Sequence, residues 1–125
     1  MNAALHAAGP GAGPAGVAAA NALGLSTQVP TTPTVAVVGR APKGLASVRL
    51  VTRSNDLRRS LSPIEIAVLE VLRDHPRTTE VDWSTLRDRI RELVRQGNVD
   101  ADRLVSAVRG ERKPDVVDRL AEILS

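Results

Sequence analysis

This chain of 125 residues is long enough for one domain with a single hydrophobic core. It contains no cysteine, which excludes disulfides, thiolate nucleophiles, cysteine-ligated zinc and a redox role. Its net charge is +3, and Trp83 is its one aromatic residue, so the stacking platforms of single-stranded nucleic-acid binders are missing. The chain lacks the basic start of a signal peptide, and no apolar run reaches the roughly 18 residues of a membrane helix. We therefore expect a cytoplasmic protein that makes no membrane contact.

The first third of the chain carries no charged side chain, since residues 1–39 lack Asp, Glu, Lys and Arg. Residues 1–13 are mostly Ala, Gly and Pro, and we expect a flexible leader because they offer little apolar surface to bury. Residues 15–23 predict a helix of small residues, which Gly24 would end as a left-handed C-cap. Residues 26–29 predict a short edge strand, stopped by the proline that follows.

Two valine-containing segments, residues 34–39 and 47–53, favour strands. The connection between them, residues 40–46, contains proline and glycine and is predicted to be a loop. The extended segments together predict a small antiparallel sheet of two or three strands. In the last strand Arg49 and Arg53 share one face, which we expect to point outward.

Helix signals dominate the second half of the chain. Ser62 is a candidate N-cap, Pro63 occupies the first helical position and Glu65 completes a capping box, so a central helix is predicted to begin here. Its apolar stripe is wide enough to pack on two sides. Further amphipathic helices are predicted at residues 84–96, 100–109 and 114–125. Asp100 is the candidate N-cap of the helix at 100–109, and the apolar pattern places Val105 and Val117 inward.

These elements predict an α+β fold in one domain, residues 14–125. Residues 14–60 would form a helix and the small sheet, and residues 61–125 a C-terminal bundle of about four helices.

Positive charge is concentrated in residues 40–60, which hold six basic side chains against one acidic side chain, whereas residues 61–125 hold eleven basic and thirteen acidic ones. We predict that the basic cluster forms a partner-binding surface, because arginine makes bidentate contacts with carboxylate and phosphate. A basic face that only promotes solubility is the alternative. The predicted binding residues are Arg40, Lys43, Arg49, Arg53, Arg58 and Arg59.

Trp83 allows two interpretations, an anchor in the core or an exposed hot spot for a partner, and we include it among the candidate partner-binding residues. His75 lies at a predicted helix end, where a positive charge would complement the helix dipole, and it is more typical of a helix C-terminus than of a ligand or base. The two histidines are too few for a metal site, and the sequence contains no hydrolase or phosphate-loop motif. We therefore expect no enzyme activity, metal or cofactor.

Four segments carry a family resemblance: PAGVAAANALGLSTQVP (14–30), GRAPKGL (39–45), VRLVTRSN (48–55) and LSPIEIAVLEVLRD (61–74). They resemble the C-terminal domain of AbiEi-type antitoxins, from bacterial toxin-antitoxin systems of type IV. The resemblance covers the chain from about Pro14 to its end. Family members usually carry a winged-helix DNA-binding domain before this region, so we expect a short form that lacks it.

The resemblance implies an antitoxin that neutralises an AbiEii-type nucleotidyltransferase toxin, and we expect direct protein-protein binding that occludes the toxin active site. Action on the toxin's target without contact is a smaller possibility. Binding of nucleic acid, either the operator of the operon or a tRNA, is the main alternative, because the basic segment suits phosphate contacts. Self-association stays open, since a short sheet can expose its edges.

Overall fold

The computed structural model describes residues 2–125, and within them it contains one three-stranded sheet and six α-helices. The predicted α+β class with C-terminal helices is confirmed. None of the helices in residues 2–125 combines the length and apolar character required to cross a bilayer. The elements are α1 (Asn2–Ala8), β1 (Gly13–Ala15), α2 (Gly16–Ala22), β2 (Thr34–Val38), β3 (Arg49–Arg53), a 3-10 helix (Asp56–Ser60), α3 (Pro63–Asp74), α4 (Trp83–Arg95), α5 (Ala101–Val108) and α6 (Pro114–Leu124).

The sheet has the order β1-β2-β3 and is mixed. Strands β1 and β2 are antiparallel, although no strand was predicted at β1, whereas β2 and β3 are parallel, with Thr34 opposite Arg49 and Val38 opposite Arg53. The antiparallel prediction is therefore wrong for this pair. A five-residue strand spans about 17 Å, so the ten-residue connection 39–48 is long enough to return to the starting end of the sheet.

The returning connection covers one face of the sheet. Its Val48 is buried beside Val35 and Val37 of β2, and Leu45 packs partly buried against them. This face forms a small core cluster, separate from the main core on the helical side of the sheet. The parallel arrangement is favourable because the connection, together with apolar residues of α1 and Ala12, shields the second face of the sheet.

Part of the segment that was predicted to be a flexible leader, residues 1–13, is ordered: α1 lies within it, and β1 begins at its last residue. Strand β1 pairs with β2 and packs against α3. A side chain at Gly13 would overlap with Ile66 of α3, so only glycine allows the backbone to approach the helix this closely. The small residues of this segment thus serve close packing, which composition alone does not reveal. The predicted edge strand at residues 26–29 is not formed.

Helix α3 is the central helix, as predicted. Its capping box is complete: the Glu65 backbone N–H donates to Ser62 Oγ over 3.3 Å, and the Ser62 N–H donates to Glu65 Oε1 over 2.9 Å. Residues 65–72 are all buried, and the helix contacts β1, α2 and α6. The wide apolar stripe therefore packs on more than one side.

Helices α4, α5 and α6 each bury one narrow stripe. Asp82 and Asp100 cap α4 and α5, and the buried positions are Leu86, Ile90 and Leu93 in α4, Leu104, Ala107 and Val108 in α5, and Val116, Leu120 and Ile123 in α6. Val105 and Val117, which the apolar pattern places inward, are exposed instead. Helices α5 and α6 each pack through a single face, so these two valines, which lie beside that face, stay in solvent.

Candidate functional site

Arg58 is the centre of a buried ionic cluster. Its side chain is 0% exposed, and its Nη1 donates to Glu70 Oε2 over 2.7 Å. On the other side its Nε and Nη2 donate to the two carboxylate oxygens of Glu111 over 2.8 and 2.7 Å. The guanidinium therefore joins the 3-10 helix to α3 and to the α5–α6 loop through a bidentate and a single charge-assisted contact.

Arg53 and Asn55 complete the cluster at the end of β3. Arg53 donates from Nε and Nη2 to the two oxygens of Glu70 over 2.9 and 2.8 Å. Asn55 Nδ2 donates to Glu111 Oε2 and to the Ala107 carbonyl, while its Oδ1 accepts from the Leu57 N–H and caps the 3-10 helix. The polar groups of these buried side chains are thus satisfied by protein atoms.

Both carboxylates of the cluster are held in the ionised form. Burial acts to raise the pKa of Glu70, but hydrogen bonds from Arg53 and the charge of Arg58 outweigh it and leave this pKa below its ordinary value. The same balance of burial against Arg58 and Asn55 leaves the pKa of Glu111 lowered as well. The cluster therefore consists of permanent charges at neutral pH.

A polar cavity of about 230 Å³ opens above this cluster. It lies between the end of β3 and the α5–α6 loop. Its lining residues are Thr52, Arg53, Ser54, Asn55, Arg73, Gly110, Glu111, Arg112 and Lys113. Four of the nine lining residues are cationic and one is acidic, so the cavity has a surplus of positive charge.

Arg73 differs from the other arginines of the cluster. Its side chain is only 19% exposed, and its nearest carboxylate oxygen is Glu111 Oε1 at 3.6 Å, too far for a hydrogen bond. Burial lowers the pKa of Arg73, and the positive charge of Arg53 lowers it further, against the opposing charge of Glu70. Arg73 is thus a largely buried cation whose ion pair with Glu111 is too long for a hydrogen bond, and its nitrogens, unpaired among the described residues, keep some contact with solvent.

The structure places the six basic residues predicted for the partner surface in two environments. Arg40, Lys43, Arg49 and Arg59 are exposed. Arg58 is fully buried, and Arg53 is 21% exposed in its side chain. The surface location predicted for Arg58 is therefore wrong, and Arg53 contributes mainly to the internal cluster.

We expected the face of β3 that carries Arg49 and Arg53 to point outward, but it points inward. Between them Val51 packs against the main core, and Arg53 reaches Glu70 of α3, so this face is turned towards the helices. The physical reason is that β3 is covered on both faces, by the helices and by the connection 39–48. Arg49 is exposed because it lies at the start of the strand.

The exposed basic residues converge only in part. The Arg59 guanidinium lies next to Gly39: its Nη2 is 3.5 Å from where a Cβ on that glycine would lie. Because Arg40 follows Gly39 directly, Arg40 and Arg59 both lie at the carboxyl end of the parallel strand pair. Arg49 pairs with Thr34 at the opposite end of the same strands. Arg49 therefore lies apart from Arg40 and Arg59, and these predicted residues do not form one continuous patch.

Trp83 is neither a fully buried core anchor nor a fully exposed contact residue, the two interpretations that its sequence position allows. It is partly buried and packs against the main core, and its indole N–H donates to Glu122 Oε1 of α6 over 3.1 Å. Its ring lies 5.8 Å from the His75 ring. Trp83 thus links the start of α4 to α6 and still presents part of its ring to solvent.

Sequence reasoning missed Arg73, Arg112 and Lys113, which line the cavity, and the two glutamates of the cluster. Arg73 and Glu70 sit three residues apart in the central helix, and the run GERKP brings Glu111 to Lys113 into one short loop. The signal available in the sequence was Glu70, an acidic residue inside the apolar stripe of the central helix. A charge buried there requires a basic partner, which would have indicated an internal ion pair.

Comparisons with protein-family models, curated proteins and solved structures found no match to this chain.

Proposed function

We propose that this chain is a non-catalytic antitoxin that neutralises a nucleotidyltransferase toxin of the AbiEii type by binding it directly. The four segments described above support the proposal through their resemblance to AbiEi-type antitoxins. The observation that carries the mechanism is the set of exposed basic side chains, Arg40, Lys43, Arg49 and Arg59. Of these, only Arg59 has an acidic partner among residues 2–125, a 3.4 Å contact with Asp56.

Exposed arginines suit a nucleotidyltransferase as partner because such active sites carry metal-binding carboxylates and receive nucleotide phosphates. A basic surface complements the carboxylates and can occupy the position of the positive charges that accompany the substrate. Arg40 and Arg59 lie together at one end of the sheet and are the best placed to enter a cleft. Trp83, which is partly exposed, is a second candidate contact.

The internal cluster supports a binding role over a catalytic one. Arg58, Glu70 and Glu111 bond to one another and to Arg53 and Asn55, so their acceptors and donors serve to hold the fold. A general acid or base needs a shifted pKa near neutrality, whereas here both carboxylates have lowered pKa values. We expect this antitoxin to act in the cytoplasm, where its partner would act.

Co-purification with the nucleotidyltransferase toxin encoded in the same operon tests the proposal. We expect the two chains to elute together and the toxin to lose activity at equimolar mixing. The double variant Arg40→Gln/Arg59→Gln should weaken binding about 10-fold, because two peripheral charges are removed. Arg95→Gln/Arg109→Gln removes the same charge from exposed sites on α4 and after α5 and is the matched control.

The proposal fails if the purified chains do not associate and toxin activity is unchanged by a molar excess of this protein. Equal binding of the two double variants would remove the role given to Arg40 and Arg59. Growth of cells that express the toxin provides an independent readout, since an antitoxin must restore it.

Nucleic-acid binding is the second candidate, and the exposed cations without acidic partners favour it as well. A mobility shift with operator DNA and with tRNA, titrated with salt, separates the two functions. Tight, salt-sensitive binding to nucleic acid without any toxin association would support this alternative.

A further inference from the structure

We propose that the cavity between the end of β3 and the α5–α6 loop is a binding site for a phosphoryl group, held by Arg73, Arg53, Arg112 and Lys113. This site is separate from the exposed basic residues used in the proposed function and does not depend on it. The ligand could be free phosphate or a phosphate monoester, and in both cases the group that binds is the phosphate oxyanion.

Arg73 provides the first step of the inference. A guanidinium has five N–H donors, and none of those on Arg73 forms a hydrogen bond to the protein within residues 2–125. Its side chain is nevertheless 81% removed from solvent, since 19% of it is exposed. A bound oxyanion would accept from these donors and offset the cost of desolvating the charge.

The charge balance of the cavity provides the second step. Glu111, its one acidic lining residue, is already bonded through both oxygens to Arg58 and also accepts from Asn55. Glu70 likewise engages Arg53 with both oxygens. The two carboxylates thus balance the charges of Arg53 and Arg58. Although Arg73 lies 3.6 Å from Glu111, the site keeps a surplus of three positive charges from Arg73, Arg112 and Lys113.

This surplus favours phosphate over a monocarboxylate, because a phosphate near neutral pH carries up to about two negative charges and several acceptor oxygens. Arg53 adds to the site, since its Nε and one proton each of Nη1 and Nη2 are used by Glu70 and the Thr52 carbonyl, which leaves two N–H donors.

A second cavity adjoins the first and favours a monoester. It has a volume of about 410 Å³ and shares Glu111 and Arg112 with the cationic cavity. Its other lining residues are Pro114, Val117 and Asp118, of which Val117 is an exposed apolar side chain on α6. The organic part of a phosphate ester would lie against Pro114 and Val117.

Titration of the full chain with sodium phosphate, monitored by backbone amide NMR at constant ionic strength, tests the site. We expect saturable shifts at residues 52–55 and 110–113. Arg73→Gln should weaken binding about 10-fold or more, because hydrogen bonds to charged groups are the strong ones. Arg112→Gln, at an exposed position that leaves the buried cluster intact, should weaken binding about three-fold. Arg95→Gln is the matched control and should bind like the wild type.

Phenyl phosphate and sodium acetate complete the test. Tighter binding of phenyl phosphate than of phosphate, with shifts that extend to Val117, identifies a monoester site, whereas equal binding of the two identifies a site for free phosphate. The proposal is overturned if chloride or acetate produces the same shifts as phosphate, if the shifts do not saturate, or if both Arg73→Gln and Arg112→Gln bind phosphate like the wild type.

Discussion

Arg58 and Glu70 form an ion pair from which solvent is fully excluded: Nη1 of Arg58 lies 2.7 Å from Oε2 of Glu70, and both side chains are 0% exposed. The pair joins the 3-10 helix to the central helix. Burying two charges is costly, and here the cost is offset by the additional bonds to Arg53 and Glu111. Removal of Arg58 therefore leaves Glu70 with Arg53 as its remaining partner and deprives Glu111 of its bidentate contact.

Arg58→Ala should lower the free energy of unfolding by about 3–5 kcal/mol, because Glu70 and Glu111 lose their shared partner. The neighbouring Arg59→Ala is the control, since Arg59 is half exposed and its one ion pair among residues 2–125 is the 3.4 Å contact with Asp56. We expect Arg59→Ala to change stability by less than about 0.5 kcal/mol. Urea denaturation of both variants at neutral pH measures the difference, and similar midpoints would contradict a stabilising cluster.

Acid should weaken the fold through the same cluster. The pKa values of Glu70 and Glu111 are lowered in the folded protein, so as the pH falls the unfolded chain takes up protons first. The stabilisation is complete above the unfolded pKa, about 4.3, and is lost as the pH falls through the lower folded values.

Urea denaturation at pH 7, 5, 4 and 3 follows this loss. Glu111→Gln should show a smaller decrease in stability below pH 5 than the wild type, since one of the two titrating groups is gone. Asp118→Asn removes one negative charge from an exposed position outside the cluster and is the control for the change in charge. A wild-type slope in Glu111→Gln would show that other carboxylates determine the acid response.

Local signals predicted the helical half of the molecule well. The capping box at Ser62 and Glu65 and the cap at Asp100 act within one turn of chain, so they can be recognised in the sequence. The direction of β3 could not be predicted in this way, because it depends on how residues 39–48 cover the sheet.

The sequence predicts that the candidate site is rich in arginine, but it does not predict which of these arginines are buried. The density of arginine in residues 40–60 is visible in the sequence, but the burial of Arg58 depends on Glu70 and Glu111, which lie 12 and 53 residues away. Pairing across such separations leaves no periodic pattern. Arg73, at the end of the central helix, has the spacing of an ordinary surface residue and gives no sign of the cavity.

Gly110→Ala should disturb the cluster from the α5–α6 loop. A Cβ at position 110 would overlap with Oδ1 of Asn55, which is 5% exposed and bonded to the Ala107 carbonyl. We expect a loss of about 1–3 kcal/mol, because neither the buried amide nor the loop can move freely. Asn55→Ala relieves the overlap, so the double variant should lose less stability than the sum of the single ones. Strict additivity in urea denaturation would contradict the close approach.

Trp83 should report the protonation of His75, whose ring centre lies 5.8 Å away. Burial and the positive charge of Arg119 lower the pKa of His75, while Asp82 opposes them. The folded protein therefore favours the neutral ring, and the emission of Trp83 should change as the pH falls, with a midpoint below the usual 6.5. Because the folded pKa lies below the unfolded one, protonation also reduces stability over this range. A fluorescence titration between pH 8 and 4.5 measures the midpoint. His75→Gln should abolish the transition while Trp83 keeps its bond to Glu122, and a transition that persists in this variant would assign the change to another group.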